Sequence, residues 1–221
     1  MELWYTENHT KNVRFSIKVT RAGDGGTIRE LTRYPSIEKI DMVEIDPLVV
    51  EACKEHLQQT ACGLDDPRVR IYYEDGLRFI RNIENEYDLI LVDSTDPFGP
   101  GEGLFTKEFY GNCYKALNDK GILVNQQEST FYDSYIEAMK RSHQRIKATF
   151  PITKVYQAHI PTYPSGYWLF GYASKHYDPI KDLNASKWND LDIKTRYYNT
   201  DLHMGSFALP NYVKEQIGEL D

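Results

Sequence analysis

Cysteine is scarce in this sequence, and its cysteines do not stand at spacings that hold a metal. The 221 residues include three cysteines, Cys53, Cys62 and Cys113, with no CxxC pair and no Cys/His cluster. A scattered, odd-numbered set is typical of free thiols in a reducing compartment. We therefore predict free thiols and no bound metal.

Long apolar runs and a surplus of basic residues are lacking as well. No stretch is long enough to cross a bilayer, and the first residues show no basic start followed by an apolar run. We therefore expect neither a membrane span nor a signal peptide, and a cytoplasmic location. The net charge of −7 would repel the phosphates of nucleic acids and anionic lipids, so neither is expected as a partner. An acidic cleft would instead attract small cations.

The remaining composition is typical of one globular domain, with 41% hydrophobic and 27% charged residues. Strand and helix patterns alternate along the chain. Strand patterns cover residues 40–46, 69–73, 87–93, 121–126, 155–160 and 167–173, and helix patterns cover residues 47–60, 105–117 and 132–150. This alternation predicts an α/β fold with a doubly wound, mostly parallel sheet.

An apolar first strand is missing from this pattern. Residues 13–19 alternate polar and apolar side chains, which is typical of a half-exposed strand in a small N-terminal β-hairpin. The glycine turn at residues 22–26 needs a buried strand before it, yet it follows Arg21 directly. We therefore expect that a segment is absent between Arg21 and Ala22. The alternative is that residues 13–19 are themselves the first strand.

Acidic residues stand at the ends of four successive strands. Ligands of open α/β sheets bind beyond the carboxyl ends of the strands, where these residues lie. A single acid there is commonly a helix or turn cap, but four on one edge favour a ligand site. The residues are Asp24, Glu44, Asp75 and Asp93, and Gln126 ends the fifth strand.

The glycine turn limits the kind of ligand. Gly23 and Gly25 allow the backbone to approach a ligand closely. Glu44 lies 18 residues beyond Gly26, near the spacing of an acid that binds ribose hydroxyls. Asp24 would repel a pyrophosphate but attract a cation, and no Lys-Ser/Thr follows the glycines as in a P-loop. We therefore predict an adenosine that carries a positive charge, such as a sulfonium.

The most specific segment is residues 93–100, Asp-Ser-Thr-Asp-Pro-Phe-Gly-Pro. It places Asp93 and Asp96 three residues apart in a loop stiffened by two prolines. Downstream, residues 160–166 set Tyr163 between two prolines. A helix cap with a turn in the first segment and an ordinary turn in the second are the structural alternatives.

These motifs resemble those of spermidine synthases, in the same order and over nearly the whole chain. The matching segments are residues 3–7, 23–30, 43–46, 65–69, 75–76, 93–100, 104–106, 126, 160–166, 194–203 and 207–210. The resemblance implies a Rossmann fold like that of S-adenosylmethionine-dependent methyltransferases. It implies transfer of an aminopropyl group from decarboxylated S-adenosylmethionine to the diamine putrescine without a further cofactor. It also implies a homodimer or a homotetramer.

For the nucleoside, the resemblance implies that Glu44 holds both ribose hydroxyls. Asp75, beside Gly76, resembles the residue that accepts a hydrogen bond from the adenine amino group. Pro100 resembles a residue whose backbone lies near the adenine.

For the two amines, the resemblance implies that Asp24 binds the amine of the aminopropyl arm. Asp93 corresponds to the proton acceptor of the family. Asp96 and Tyr163 resemble the residues that grip the attacking amine, and Gln126 resembles a polar contact in the diamine channel. Asp93, Asp96 and Tyr163 are thus the expected catalytic residues.

The chain departs from the family pattern between Arg21 and Ala22. A longer N-terminal β-domain, an acidic stretch, a Tyr-His-Glu-Met segment and an apolar strand that ends in glycines are absent there. We therefore interpret residues 1–21 as a remnant of the N-terminal β-strand domain and residues 22–221 as the nucleoside-binding catalytic domain.

Three other functions remain open. The acceptor could be agmatine, cadaverine or spermidine. A putrescine N-methyltransferase is disfavoured by Asp24, since S-adenosylmethionine carries a carboxylate that its decarboxylated form lacks. A non-catalytic protein that binds polyamines or nucleosides is favoured by the absent segment and disfavoured by the presence of Asp93, Asp96 and Tyr163.

Overall fold

The computed structural model of the chain describes residues 15–20, 23–93 and 103–220, with residues 15–20 described by their backbone alone. The strands are β1 (Phe15–Thr20), β2 (Ile37–Glu44), β3 (Val69–Tyr73), β4 (Tyr87–Val92), β5 (Leu117–Gln126), β6 (Ile152–His159) and β7 (Tyr167–Ser174). The helices are α1 (Gly26–Thr32), α2 (Pro47–His56), α3 (Gln58–Ala61), α4 (Gly76–Ile80), α5 (Lys107–Ala116), α6 (Asp133–Lys147), α7 (Ala185–Asp190), α8 (Thr200–Ser206) and α9 (Asn211–Ile217).

The seven strands form one sheet in the order β3-β2-β1-β4-β5-β7-β6. Strands β1 to β5 pair in parallel, while β7 runs antiparallel to both β5 and β6. The predicted α/β fold with a doubly wound, mostly parallel sheet is confirmed. The carboxyl ends of the five parallel strands therefore share one edge, where ligands bind in such sheets.

Strand β1 lies in the middle of the sheet and not in a hairpin. It pairs in parallel with β2 on one side and with β4 on the other, so that Thr20 lies between Val43 and Val92. The prediction of a hairpin strand is therefore wrong for residues 15–20, which occupy the position of a first strand in the parallel sheet. The facing edges of β2 and β4 carry backbone N–H and C=O groups that need hydrogen-bond partners. Residues 15–20 provide these partners in spite of their alternating pattern. The division of the chain at residues 21 and 22 stays a prediction.

Both faces of the sheet are covered, as the apolar runs of the inner strands require. On one face, Leu89 and Leu91 of β4 pack with Ile28 and Leu31 of α1. On the other face, the alternate residues of β4 pack beneath α5 and α6 in a second cluster that includes Phe109. The core thus holds the strand ends, and the loops that follow them, in fixed positions.

Local capping sets the starts of the helices near the site. Asp46 accepts a hydrogen bond from the backbone N–H of Leu48 at the start of α2, and Pro47 occupies the first turn. Asp75 caps α4 in the same way through the N–H of Arg78. The predicted helix over residues 47–60 is divided at Leu57 into α2 and α3. In the described part of the chain, no helix is both long and apolar enough to span a membrane.

A pair of residues in the predicted segment 65–69 ties α1 to the sheet. The guanidinium of Arg68 donates to Asp66 and to the backbone carbonyls of Thr32, Tyr34 and Ile37. The hydrogen bonds from Arg68 lower the pKa of Asp66 to about 2. This motif therefore has a structural role, since it holds the end of α1 against β2.

Candidate functional site

The glycine turn and Glu44 are in direct contact at the carboxyl edge of the sheet. Gly23 lies so close to the end of β2 that a Cβ atom on it would stand 3.1 Å from Glu44 Oε2 and 2.6 Å from Val49 Cγ1. The other carboxylate oxygen, Oε1, accepts hydrogen bonds from the N–H groups of Ile45 and Asp46 at 2.8 and 3.2 Å. Glu44 is 6% exposed and is held in one orientation, as a ligand-binding carboxylate requires.

Gly25 makes the sharp turn that starts α1. Its φ of 80° lies in the left-handed region, which favours glycine. A Cβ atom there would also stand 2.8 Å from the Cα of Ala61. The turn leaves Asp24 exposed, with its carboxylate beside Gly26. Asp24 is thus presented to solvent at the strand edge, as a residue that binds a cationic group must be.

Asp75 and Gly76 stand beyond the end of β3, next to the end of β2. Glu44 pairs with Tyr73 in the register of the two strands, and Asp75 follows two residues later. Asp75 is exposed and also caps α4, so both the capping and the ligand interpretation of this residue fit its position. The structure thus places Glu44 and Asp75 on neighbouring strand ends.

Asp93 follows β4 and accepts a hydrogen bond from the hydroxyl of Thr27 in α1 at 3.2 Å. Burial raises the pKa of Asp93, the hydrogen bond from Thr27 lowers it, and the charge of Asp24 raises it. The net effect is a pKa above the ordinary value of an aspartate. Asp24 and Asp93 are therefore close enough for their charges to interact. The glycine turn thus lies near the end of β4.

A cavity of about 890 Å³ opens in front of Asp93. Of the predicted site residues, Asp93, Gln126 and Tyr163 line it. Gln126 is buried at the end of β5, whose Asn125 pairs with Val92 of β4, so Asp93 and Gln126 lie side by side. The ring of Tyr163 packs 4.3 Å from that of Trp168. The structure therefore brings three predicted site residues to one cavity.

The remaining predicted residues fall into two groups. Gly23, Asp24, Gly25, Glu44, Asp75 and Gly76 lie along the same strand edge but outside the lining of this cavity. Asp96 and Pro100 lie outside the described residues, as do residues 3–7 and Ala22. Among the described residues, no group of three or more His, Cys, Asp or Glu side chains is placed to hold a metal ion.

Sequence reasoning missed an aromatic pair on the cavity wall. Tyr156 of β6 stacks on Phe170 of β7, with ring centroids 5.3 Å apart and planes inclined by 16°. Phe170 in turn pairs with Gln126 in the sheet register. Burial, followed by the negative charge of Asp93, raises the pKa of the Tyr156 phenol. Aromatic faces of this kind favour cations. Tyr156 and Phe170 lie in predicted strands, but the pairing of Phe170 with both Tyr156 and Gln126 depends on the strand order.

The C-terminal segment also lines the cavity, although no predicted site residue lies in it. Residues 194–198, together with Leu202, His203 and Ser206 of α8, form one wall. The N–H of His159 donates to the hydroxyl of Tyr197 at 2.8 Å, which ties this wall to β6. The match at residues 194–203 was the signal that could have marked this segment as part of the site.

His203 in this wall is neutral at physiological pH. Burial lowers its pKa to about 4. Its Nε2 lies 3.0 Å from the carbonyl of Pro179 and its Nδ1 lies 2.8 Å from the hydroxyl of Tyr198. Since a carbonyl only accepts, Nε2 carries the hydrogen and Nδ1 accepts from Tyr198. The imidazole thus has a structural role in holding the wall.

Comparisons with known proteins show which family this chain is similar to. The family model of the spermine/spermidine synthase domain matches residues 16–184. A polyamine aminopropyltransferase from Alkaliphilus oremlandii is 59% identical over 277 positions, which cover 97% of this chain and 98% of the relative. One from Clostridium perfringens is 55% identical over 283 positions, which cover 100% of both chains.

Two solved structures are also similar. A spermidine synthase crystallised with the transition-state analogue AdoDATO superposes with a TM-score of 0.89 at 45% identity, over 92% of this chain and 69% of that chain. A spermidine synthase from Thermotoga maritima superposes with a TM-score of 0.86 at 42% identity, over 94% of this chain and 68% of that chain.

The alignment with the Clostridium perfringens relative spans both chains but has 283 positions, more than the 221 residues present here. The absence of a segment between Arg21 and Ala22 stays a prediction.

Proposed function

Because the chain belongs to the spermine/spermidine synthase family, we propose that it transfers the aminopropyl group of decarboxylated S-adenosylmethionine to putrescine. It is an enzyme of the polyamine aminopropyltransferase class. The proposed products are spermidine and methylthioadenosine. The observation that carries this proposal is the position of Asp93, half-buried beside Thr27 and Asp24 on a cavity that Gln126 and Tyr163 also line.

In the proposed reaction, the main obstacle is that the acceptor amine is protonated. The sulfonium of the co-substrate is a good electrophile, since its leaving group departs as a neutral thioether. An alkylamine has a pKa near that of lysine, about 10.4, so about one molecule in a thousand is neutral at pH 7. The site must therefore take a proton from the amine close to the sulfonium.

Asp93 is the proposed proton acceptor. The amine nitrogen attacks the aminopropyl carbon bonded to sulfur, the carbon–sulfur bond breaks, and sulfur keeps the electron pair. One proton of the amine passes to the Asp93 carboxylate. An aspartate is ordinarily a much weaker base than an alkylamine, so Asp93 acts through its position more than through its basicity.

The carboxylates around the site support the approach of two cations. Asp24 is proposed to bind the amine of the aminopropyl arm, while Glu44 and Asp75 hold the ribose and the adenine. Asp24 and Asp93 offset the repulsion between the sulfonium and the acceptor. Alignment of amine, carbon and sulfur then supplies much of the rate acceleration.

Gln126 and Tyr163 are the proposed contacts of the acceptor amine within the described residues, and Asp96 and Pro100 keep the roles that the resemblance implies. No further cofactor and no metal enter this proposal. We further propose a cytoplasmic homodimer or homotetramer, which sedimentation velocity of the purified protein would test.

A second candidate is a non-catalytic protein that binds the nucleoside or a polyamine. It is favoured by the segment that we expect to be absent between Arg21 and Ala22. Other acceptors, and methyl transfer to putrescine, are distinguished by the products that they would give.

The testing experiment supplies purified protein with decarboxylated S-adenosylmethionine and, separately, putrescine, cadaverine, agmatine or spermidine. Chromatography quantifies methylthioadenosine and the new polyamine, and a parallel reaction contains S-adenosylmethionine. The proposal expects product with putrescine above all. Binding of methylthioadenosine without turnover would replace it by the second candidate, and methylputrescine would replace it by a methyltransferase.

A further inference from the structure

The hydroxyl of Thr27 is the hydrogen-bond donor that the structure shows for the Asp93 carboxylate within the described residues. Thr27 is the second residue of α1 and lies 66 positions before Asp93 in the chain. Both residues line the same cavity. We infer that Thr27 is a positioning residue for Asp93, which holds the carboxylate in one orientation and favours its ionised form. This inference rests on the proposed role of Asp93.

The placement of Thr27 follows from the turn before it. Gly25 reverses the chain with a φ of 80°, and α1 then begins at Gly26, which directs the first turn of the helix toward the end of β4. Threonine is β-branched, so its side chain has few conformations available in a helix. Its hydroxyl is therefore presented to Asp93 at little cost in conformational entropy.

The bond engages Oδ2 of Asp93 at 3.2 Å and leaves Oδ1 as the oxygen that can receive the proton of the amine. A hydrogen bond at one oxygen restricts the rotation of the carboxylate. Such orientation of a catalytic group accounts for a substantial part of rate acceleration in general.

The electrostatic effect of Thr27 opposes that of its surroundings. Burial and the charge of Asp24 favour the protonated form of Asp93, whereas a donated hydrogen bond favours the carboxylate. Without Thr27 the carboxyl would be protonated at a higher pH and could not accept a proton there. The charge of Asp24 acts on Asp93. The other titratable groups that line the cavity with Asp93 in the described residues are Arg29, Glu30, Arg33, Tyr156, His159, Tyr163, Lys194, Arg196, Tyr197, Tyr198 and His203.

The test measures the pKa of Asp93 directly and does not depend on turnover. Protein labelled with ¹³C at the aspartate side-chain carboxyl carbon is titrated by NMR, and the Asp93→Asn variant assigns the resonance. The variants are Thr27→Val, Thr27→Ala and Thr27→Ser. Thr32→Val is the matched control, because its hydroxyl bonds the carbonyl of Arg29 within the same helix.

We expect Thr27→Val and Thr27→Ala to raise the pKa of Asp93 by about 1 to 2 pH units, given the strength of a hydrogen bond to a charged group. Thr27→Ser keeps the hydroxyl and should restore the original pKa, and Thr32→Val should leave it unchanged. Thr27→Ala keeps the test informative if the valine variant fails to fold.

A second readout is the pH dependence of kcat, whose acidic limb should move upward by the same amount in Thr27→Val and Thr27→Ala. An unchanged Asp93 pKa in a folded Thr27 variant would overturn the inference, and so would an equal shift in Thr32→Val. An absence of turnover in all proteins would overturn the proposed function, while the NMR titration would still decide the role of Thr27.

Discussion

The backbone of Gly23 lies against the carboxylate of Glu44, with so little space that a Cβ atom would stand 3.1 Å from Oε2. The relationship joins the glycine turn after β1 to the end of β2. It fixes the orientation of the carboxylate that we propose to bind the ribose. The φ angle of Gly23 is not in the left-handed region, so backbone conformation does not require a glycine here. The short distance to Glu44 and Val49 requires it instead.

Gly23→Ala should therefore impair nucleoside binding. The added methyl group would meet Val49 Cγ1 at 2.6 Å, so that Val49 or Glu44 must move. We expect the affinity for methylthioadenosine, measured by calorimetry, to fall about tenfold or more, and overpacking to lower the free energy of unfolding by about 1–3 kcal/mol. Gly111→Ala is the control, since a Cβ atom there meets nothing within 4 Å. Equal affinity in the two variants would contradict this account of Gly23.

A second prediction concerns a buried carboxylate beneath the site. Asp41 of β2 is 1% exposed, and its Oδ2 accepts a hydrogen bond from the hydroxyl of Tyr87 at 2.7 Å and pairs with Lys39 at 2.8 Å. Tyr87→Phe removes one partner from a buried charge. We expect urea denaturation to show a loss of about 1–3 kcal/mol in the free energy of unfolding.

The matched control for that prediction is Tyr73→Phe, because Tyr73 is 50% exposed at the end of β3. Its loss of a hydroxyl should change the free energy of unfolding by less than about 0.5 kcal/mol. If both phenylalanine variants lost the same stability, the hydrogen bond to Asp41 would not be the cause.

A third prediction uses the pH dependence of the Asp66–Arg68 pair. The pKa of Asp66 falls from 3.8 to about 2 on folding. A depressed carboxyl pKa stabilises the fold above the unfolded-state value, and this stabilisation is lost as the pH falls from about 4 through about 2. Asp66→Asn should therefore cost about 2 kcal/mol at pH 7, before a reduction for partial exposure, and almost nothing below pH 2.

Urea unfolding of Asp66→Asn and the original protein at pH 7, 3 and 2 would measure this difference. Asp65→Asn serves as control, since the side chain of Asp65 is 80% exposed in its pair with Lys54. A stability difference for Asp66→Asn that stayed constant over this pH range would show that the ion pair does not provide it.

Two acids of the site could be predicted because each stands at the end of an apolar strand. Glu44 and Asp93 needed only the strand pattern and the rule that parallel strands share a carboxyl edge. The position of β1 could not be predicted in the same way. Its alternating pattern is local information, whereas its place between β2 and β4 depends on the pairing needs of the completed sheet.

The local sequence pattern also does not predict which residues line the cavity. Phe170 lies between Tyr156 and Gln126 only because β7 lies between β5 and β6. Residues 194–206 return to the cavity through contacts such as the one between Tyr197 and His159. Thr27 and Asp93 are 66 residues apart. Contacts of this kind depend on the tertiary structure, which the hydrophobic periodicity of the sequence does not predict.

The central claim is that Asp93 accepts the proton of the attacking amine during aminopropyl transfer. The most direct test supplies the original protein, Asp93→Asn and the exposed control Asp133→Asn with putrescine and decarboxylated S-adenosylmethionine that carries an isotope label in the aminopropyl group. Mass spectrometry follows the label into spermidine, and calorimetry measures the binding of methylthioadenosine.

We predict that the original protein and Asp133→Asn transfer the label at equal rates, with one methylthioadenosine formed for each spermidine. Asp93→Asn should lower kcat by about 10² to 10⁴ while its affinity for methylthioadenosine changes by less than about threefold. Near-normal label transfer by Asp93→Asn would contradict the account.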